Sequence, residues 1–235
     1  MVKINDIKIA DIGFYINLDK REDRKEKIES QLTELNIKGV NRFSAFDKYE
    51  SNTVNCKKSH YLLYEELLKT DFETLLVLED DCLFLDIFKN EYEKIFNDIN
   101  NTDWDLFWLG CRNRRDPIFY KNNCYRVSSV SHAQSYLIKR NFCEYVLNTY
   151  SIEDYTSTIS DELLCLAVYG EDVVKYPNKY NFYNLDQPLD VIPTNYISLC
   201  YEKSLTTQYA SYSDLWHSFV NYEQYIINSF PTNNG

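Results

Sequence analysis

The sequence predicts a single α/β domain over residues 1–235, with a mostly parallel central sheet flanked by helices. Two observations carry this. Apolar, strand-like runs alternate with amphipathic helical stretches through the first two thirds of the chain. Five Gly and five Pro among 235 residues leave little room for a flexible linker. No internal repeat is found, and a chain of this length can bury a full core as one domain.

The elements follow in order. Residues 12–18 (IGFYINL) read as a buried strand. Asp19-Lys20-Arg21-Glu22-Asp23-Arg24 leads into an amphipathic helix ending near Leu35, with Ile28, Leu32 and Leu35 on one face. A second strand is expected from Val40 to Phe46. A helix is expected over Ser59–Lys69, with Leu62, Leu63, Leu67 and Leu68 facing inward. Leu75–Leu78 is a short, wholly apolar strand that stops at Glu79-Asp80-Asp81, after which Cys82–Leu85 is apolar again. Asp86 resembles the N-cap of a helix reaching about Ile99. Trp104–Leu109 and Val127–Ile138 supply further strands, followed by a helix from Arg140 to Tyr150. Asp161–Tyr169 reads as helical, with short strands near Val173-Val174 and Val191-Ile192. A last helix is expected from Asp214 to Asn228.

The formal charge is −11, and Lys/Arg cluster only briefly around Arg112, Arg114 and Arg115. That argues against a nucleic-acid partner or a broad anionic-membrane surface, though not against a small phosphate pocket. The seven Cys are odd in number and lack C-x-x-C spacing. They sit in apolar surroundings, as buried free thiols in a reducing compartment do. Residues 1–15 lack an apolar signal core, and no segment approaches the about 20 apolar residues that span a bilayer. A cytoplasmic location is therefore expected. The 21 Tyr and 13 Phe suit half-buried sheet positions as well as stacking on sugars.

The acidic triplet is the strongest chemical feature. Adjacent carboxylates repel, so an apolar strand running into three of them is costly without a counter-ion. In an extended segment alternate residues point the same way, so Glu79 and Asp81 can face one ligand while Asp80 faces elsewhere. Two hard oxygen ligands beside a diphosphate suit Mn²⁺ or Mg²⁺. A solvated acidic turn explains the same residues without chemistry. Asp161 and Glu162, at a helix start, read on sequence alone as a capping device, worth about 0.3–1 kcal/mol per carboxylate, ahead of a role for Asp161 as general base. His60, His132 and His217 show no metal-binding spacing.

In succession these stretches resemble glycosyltransferase family 25, the family of bacterial lipopolysaccharide transferases and collagen galactosyltransferases. Residues 14–24 (FYINLDKREDR) are similar to its opening "Y-x-I-N-L-D-x-R-x-D-R", Ala45-Phe46-Asp47 to "A-x-D", Cys56–His60 to "G-C-x-x-S-H", and Leu76–Asp81 to "L-V-L-E-D-D". Trp104–Gly110 and Ser135–Ile138 resemble two later strands. Asp161–Leu164, Pro193–Tyr196 and Ser213-Asp214 resemble motifs of the collagen branch. Each motif alone is weak, but their collinear order spans about residues 12–216.

The resemblance implies a GT-A-like fold, a UDP-sugar donor (UDP-galactose or UDP-glucose), Mn²⁺ or Mg²⁺, and hexose transfer with inversion. The acceptor would be a hydroxyl of a glycan or of hydroxylysine in a collagen-like protein. It implies Glu79 and Asp81 as metal ligands, Asp80 at the ribose or sugar, and Asn17, Arg21 and Arg24 near the nucleotide. Asp161 would be the base, with Glu162 in reserve. Two positions depart from the pattern. Asn55 replaces a Gly, and Asn195 replaces a His. Were that His a ligand, His217 or Asp214 would have to serve instead. A non-catalytic module binding UDP-sugar or glycan is the alternative, and a phosphotransferase with a carboxylate nucleophile is a more distant rival.

Overall fold

The computed structural model describes residues 1–151, 163–164, 167–170, 195–213 and 218–230. A tight hairpin opens the chain, β1 (Val2–Ile4) and β2 (Ile7–Ala10), turning at Asn5 with φ of 50°. Asparagine tolerates that left-handed backbone, which two-residue hairpins need. The apolar run forms β3 (Ile12–Asn17), and α1 (Glu22–Glu34) follows it. Next come β4 (Ile37–Lys38), β5 (Val40–Ser44) and α2 (Asn52–Leu68). Then β6 (Thr74–Glu79) and β7 (Cys82–Phe84) flank the acidic turn, ahead of α3 (Asp86–Asn100).

The middle of the chain holds β8 (Leu106–Asn113), β9 (Ile118–Lys121), β10 (Cys124–Arg126), β11 (Val130–Lys139) and α4 (Arg140–Thr149). The last described pieces are β12 (Ser198–Tyr201), β13 (Thr206–Gln208), β14 (Ser211–Ser213), β15 (Ser218–Val220) and α5 (Glu223–Ile227).

Eight strands form the central sheet in the order β5-β3-β6-β11-β8-β12-β10-β9. Six of them run the same way, and only β11 and β10 are reversed. The mostly parallel α/β architecture is therefore as expected. One core lies between the sheet and α2 and α4, through Leu63, Leu67, Phe142 and Val146. A second lies between the other face and α1 and α3, through Ile28, Leu32, Phe88 and Phe96. Helices on both faces are what a sheet buried on both sides requires.

Several elements differ from expectation. α2 begins seven residues earlier than Ser59, because Ser51 caps it through a bond from the Val54 N–H. Its most buried leucines are Leu63 and Leu67, while Leu62 and Leu68 are only partly covered. Asp86 is the first residue of α3 rather than its cap, a position held by Leu85 without a side-chain bond. β9 and β10 form an unforeseen hairpin turning on Asn122 and Asn123, at φ 50° and 57°. The helix expected over Asp214–Asn228 is, in its described part, a strand followed by a five-residue helix. Pairing of Ser218–Val220 with Ser211–Ser213 overrides the local helical pattern. The strands expected near 173–174 and 191–192 lie outside the described residues.

Candidate active site at the carboxyl end of the sheet

Three parallel strands end side by side at one edge of the sheet: β5 at Ser44, β3 at Asn17 and β6 at Glu79. Ligands in such sheets bind beyond the carboxyl ends of the strands. The apolar run Leu75–Leu78 is fully buried and carries Glu79 to this rim. Asp80 and Asp81 form a turn, from which β7 leaves to pair with β13. The triplet is thus a turn rather than the extended segment expected.

Arg24, Ile28 and Leu32 are the buried positions of α1, each one turn apart. The helix therefore extends its apolar stripe into the site with a guanidinium. Arg24 donates to Asp80 Oδ1 at 2.8 Å, lies 3.2 Å from Asp81 Oδ2, and donates to Ser211 Oγ at 2.8 Å. Asn17, only 1% exposed, donates through Nδ2 to Asp80 Oδ2 at 2.8 Å and to the Arg21 carbonyl. Its Oδ1 accepts from Arg42 Nε at 2.9 Å, and Arg42 also pairs with Asp19. Arg21 lies against Asp23, with two bonds of 2.8 and 2.9 Å.

The other wall comes from the stretch after β12. Gln208 Nε2 donates to Asp81 Oδ1 at 3.4 Å. The Tyr209 N–H donates to the Asp81 carbonyl and its hydroxyl to that of Asp80. Lys27 lies 4.3 Å from the centre of the Tyr209 ring. A close approach lets this stretch in: a Cβ on Gly110 would fall on Thr206 Oγ1 and Gln134 Nε2, atoms that hydrogen-bond one another at 3.0 Å.

Burial is the leading influence on all three carboxyls. It pushes Glu79 up to about 7, reinforced by the charge of Asp80 and opposed by Arg24. It pushes Asp81 up to about 7 as well, with the charge of Glu79 adding and Arg24 opposing. Asp80 is raised too, with Arg24 and Asn17 pulling it back. Such upward shifts mark carboxyls whose charge is short of compensation. Gln208 Oε1 is a buried acceptor without a hydrogen-bond partner among the described residues. The buried Asp81, the partly covered Glu79 and the amide oxygen of Gln208 offer oxygen donors alone, which fits a hard divalent cation such as Mn²⁺ or Mg²⁺.

The structure thus brings Asn17, Arg21, Arg24, Glu79, Asp80 and Asp81 together. Asp161, Glu162, His217 and Asp214 lie outside the described residues. Asn195 is exposed just ahead of Ile197, whose N–H bonds Asp105 Oδ2 at the amino end of β8. That is the opposite end of the sheet from Glu79, so Asn195 is no ligand beside the triplet. Asn55, in place of a Gly, is buried and ties down the loop before α2. Its Oδ1 accepts from the N–H groups of Lys48 and Tyr49, and its Nδ2 donates to Asp47 and to the Tyr49 carbonyl. Sequence reasoning missed Arg42, Gln208, Tyr209 and Ser211, which are distant in the chain and belong to no recognised motif. It also left His60 as structural, although His60 Nε2 lies 3.5 Å from Glu79 Oε1.

Known proteins resemble parts of this chain. Residues 52–163, which include the triplet, match the family described as glycosyltransferase family 25 (LPS biosynthesis protein). Procollagen galactosyltransferase 1-B of Xenopus laevis is 29% identical over 136 residues, covering 46% of this chain and 22% of that protein. Procollagen galactosyltransferase 1-A of the same organism is 25% identical over 234 residues, covering 76% of this chain and 38% of that one. The human inactive glycosyltransferase 25 family member 3 is 29% identical over 125 residues, 41% of this chain and 21% of its own length. The matches thus span about a fifth to two fifths of these curated relatives. Among solved structures, a glycosyltransferase involved in glycosylation of the major capsid of PBCV-1 aligns at TM-score 0.41 and 12% identity, covering 80% of each chain. Residues 52–163, which hold the acidic turn, are thus similar to glycosyltransferase family 25.

Proposed function

We propose that the chain is an inverting transferase that moves a hexose, galactose or glucose, from a UDP-sugar to a hydroxyl of a glycan or of hydroxylysine in a collagen-like protein. The observation that carries this reading is the convergence of Glu79, Asp81 and the Gln208 side chain at the end of β6, with Arg24 beside them. The relatives named procollagen galactosyltransferases support the sugar and the acceptor class.

Glu79 and Asp81 would hold Mn²⁺ or Mg²⁺. A divalent ion there neutralises charge that builds on the departing nucleotide diphosphate. Asp80, fixed by Asn17 and Arg24, is set to orient ribose or sugar, and Arg21 lies on the nucleotide side. Asp161, with Glu162 in reserve, takes the proton from the acceptor hydroxyl. As that oxygen bonds to the anomeric carbon, the bond from carbon to the phosphate oxygen breaks on the opposite face, which inverts the centre. This geometry requires the base and the metal ligands on opposite sides of the sugar.

A donor screen tests the reading. The protein is incubated with UDP-galactose, UDP-glucose, UDP-GlcNAc and a GDP-sugar, with and without Mn²⁺, and released nucleotide is measured. Metal-dependent release from a UDP-hexose is expected, and it is lost in Asp161→Asn while donor binding persists. Absence of metal-dependent release or binding with every donor defeats the proposal.

One observation favours a second reading, a binding module that holds UDP-sugar or glycan without turnover. Arg24 already pairs with both Asp80 and Asp81, and four of the matched relatives are named inactive or probable inactive. Donor binding without release, unchanged by Asp161→Asn, would select it.

A further inference from the structure

Because α2 begins at Asn52, Cys56 and His60 stand one helical turn apart on a single face. That face meets the end of β6. One ligand atom each from Cys56, His60 and Glu79 lies within 4.8 Å of the other two. His60 is 2% exposed, and its ring is fixed from behind. Its Nδ1 bonds the Tyr136 hydroxyl at 2.6 Å, and that hydroxyl bonds Tyr64 at 2.7 Å. The two rings also stack, with centroids 5.8 Å apart and planes 18° apart. In the tautomer whose Nδ1 donates to Tyr136, with Tyr136 donating to Tyr64, Nε2 offers its lone pair on the side of Glu79, where an ion between them would take it. A partner on the far ring nitrogen that sets tautomer and orientation is the usual support of a metal-binding histidine.

We infer that Cys56, His60 and Glu79 form a second cation site, selective for a thiophilic divalent ion such as Zn²⁺, that shares Glu79 with the acidic triplet. The triplet offers oxygen alone, which suits hard ions. A thiolate, an imidazole and a carboxylate suit zinc. Zinc bonds of about 2.3 Å to sulfur and about 2.0 Å to nitrogen and oxygen place donor atoms roughly 3.5 Å apart. The cluster therefore needs to contract by only about 1 Å, within side-chain rotation of the half-exposed Cys56. Binding converts the thiol to thiolate and releases its proton. Three protein ligands leave a fourth position for water. With Glu79 shared, two divalent ions would draw on one carboxylate and repel each other, so zinc binding is expected to weaken Mn²⁺ binding at the triplet.

The inference goes beyond the proposed transferase activity, and its test does not use turnover. Zn²⁺ affinity of the whole chain is measured by competition with a chromophoric chelator, and Co²⁺ is added separately to read the thiolate-to-cobalt charge-transfer band. Wild type is expected to take one ion per chain with that band present. Cys56→Ser is expected to abolish the band and weaken Zn²⁺ at least tenfold, leaving Mn²⁺ affinity unchanged. His60→Asn is expected to weaken Zn²⁺ similarly. It removes a buried ring, so Cys56→Ser, at a half-exposed position, remains decisive should that variant unfold. Zinc binding by Cys56→Ser as tight as wild type overturns the inference, as does the absence of stoichiometric zinc binding by wild type. Failure of the donor screen with these zinc results intact would sink the transferase reading alone.

Discussion

Two acidic sites hang from the same edge of the sheet, and their surroundings drive them in opposite directions. Asp19, just past β3, is exposed and accepts from Arg42 at 2.5 Å and from Ser44 at 2.8 Å. Those bonds hold its carboxyl below the ordinary range. At the end of β6, Glu79 is partly covered and Asp81 buried, Arg24 pairs with Asp80 and Asp81, and loss of solvent pushes Glu79 and Asp81 upward. The first site has one carboxyl for its Arg and Ser, whereas at the second Arg24 is divided between Asp80 and Asp81 with Glu79 alongside. A carboxylate that the protein satisfies with its own donors is architecture. Carboxylates buried ahead of their compensation await a cation.

The sharpest way to break this contrast is to remove the internal cation. Arg24→Met leaves Asp80 and Asp81 buried without their cationic partner, which costs about 3–5 kcal/mol when one side of a buried pair is deleted. Urea unfolding near pH 8 should show that loss, and Mn²⁺ should recover part of it. Asp81→Asn removes a like charge and a proposed ligand together. Metal-dependent nucleotide release should fall roughly 10²-fold, while the unfolding midpoint without metal should not fall.

Asn55→Gly restores the residue of the family pattern but deletes the bonds that order residues 47–49 and adds a glycine to a helix. A loss of about 2 kcal/mol is expected in denaturant unfolding. Neutralising Asp19 by Asp19→Asn should change neither stability nor release measurably, since exposed pairs contribute little.

pH separates the two sites without mutation. Folded Glu79 and Asp81 hold their protons to about pH 7, above the ordinary values of 4.5 and 3.8. The resulting penalty is absent below about pH 4, grows between there and pH 7, and is complete above. The urea midpoint of metal-free protein should therefore fall as pH rises from about 5 to 8, and Mn²⁺ should reverse the fall by binding the ionised folded form. Asp19 acts in the other sense, favouring the folded state above the ordinary carboxylate range and losing that on acidification, but at an exposed position the effect is too small to shift the midpoint measurably. A midpoint that climbs through neutrality in the absence of metal would contradict the assignment of the triplet as under-compensated.

Much of the fold was readable in advance, for identifiable reasons. β3, β6 and α4 announce themselves through unbroken apolar runs or a strong helical stripe, signals that need no partner. Glu79, Asp80 and Asp81 stood out because three carboxylates after a buried strand conflict with local electrostatics. Gln208, Tyr209 and Ser211 were invisible because they reach the site only through the crossing from β12 to β13, a long-range event with no local pattern. The strand at Ser218–Val220 was misread for the same reason. Arg24 was named for the right place, but its partners were not foreseen. The sequence displays the face of α1, not what that face meets.

The guanidinium of Arg24 carries one last implication, for the order in which this molecule is assembled. A newly made chain can close its acidic turn at once, using a counter-ion that arrives on its own helix. Maturation of the fold is thereby uncoupled from the metal supply around it. Whatever ion later docks must negotiate with a resident occupant rather than fill a void, so loading becomes an exchange of partners.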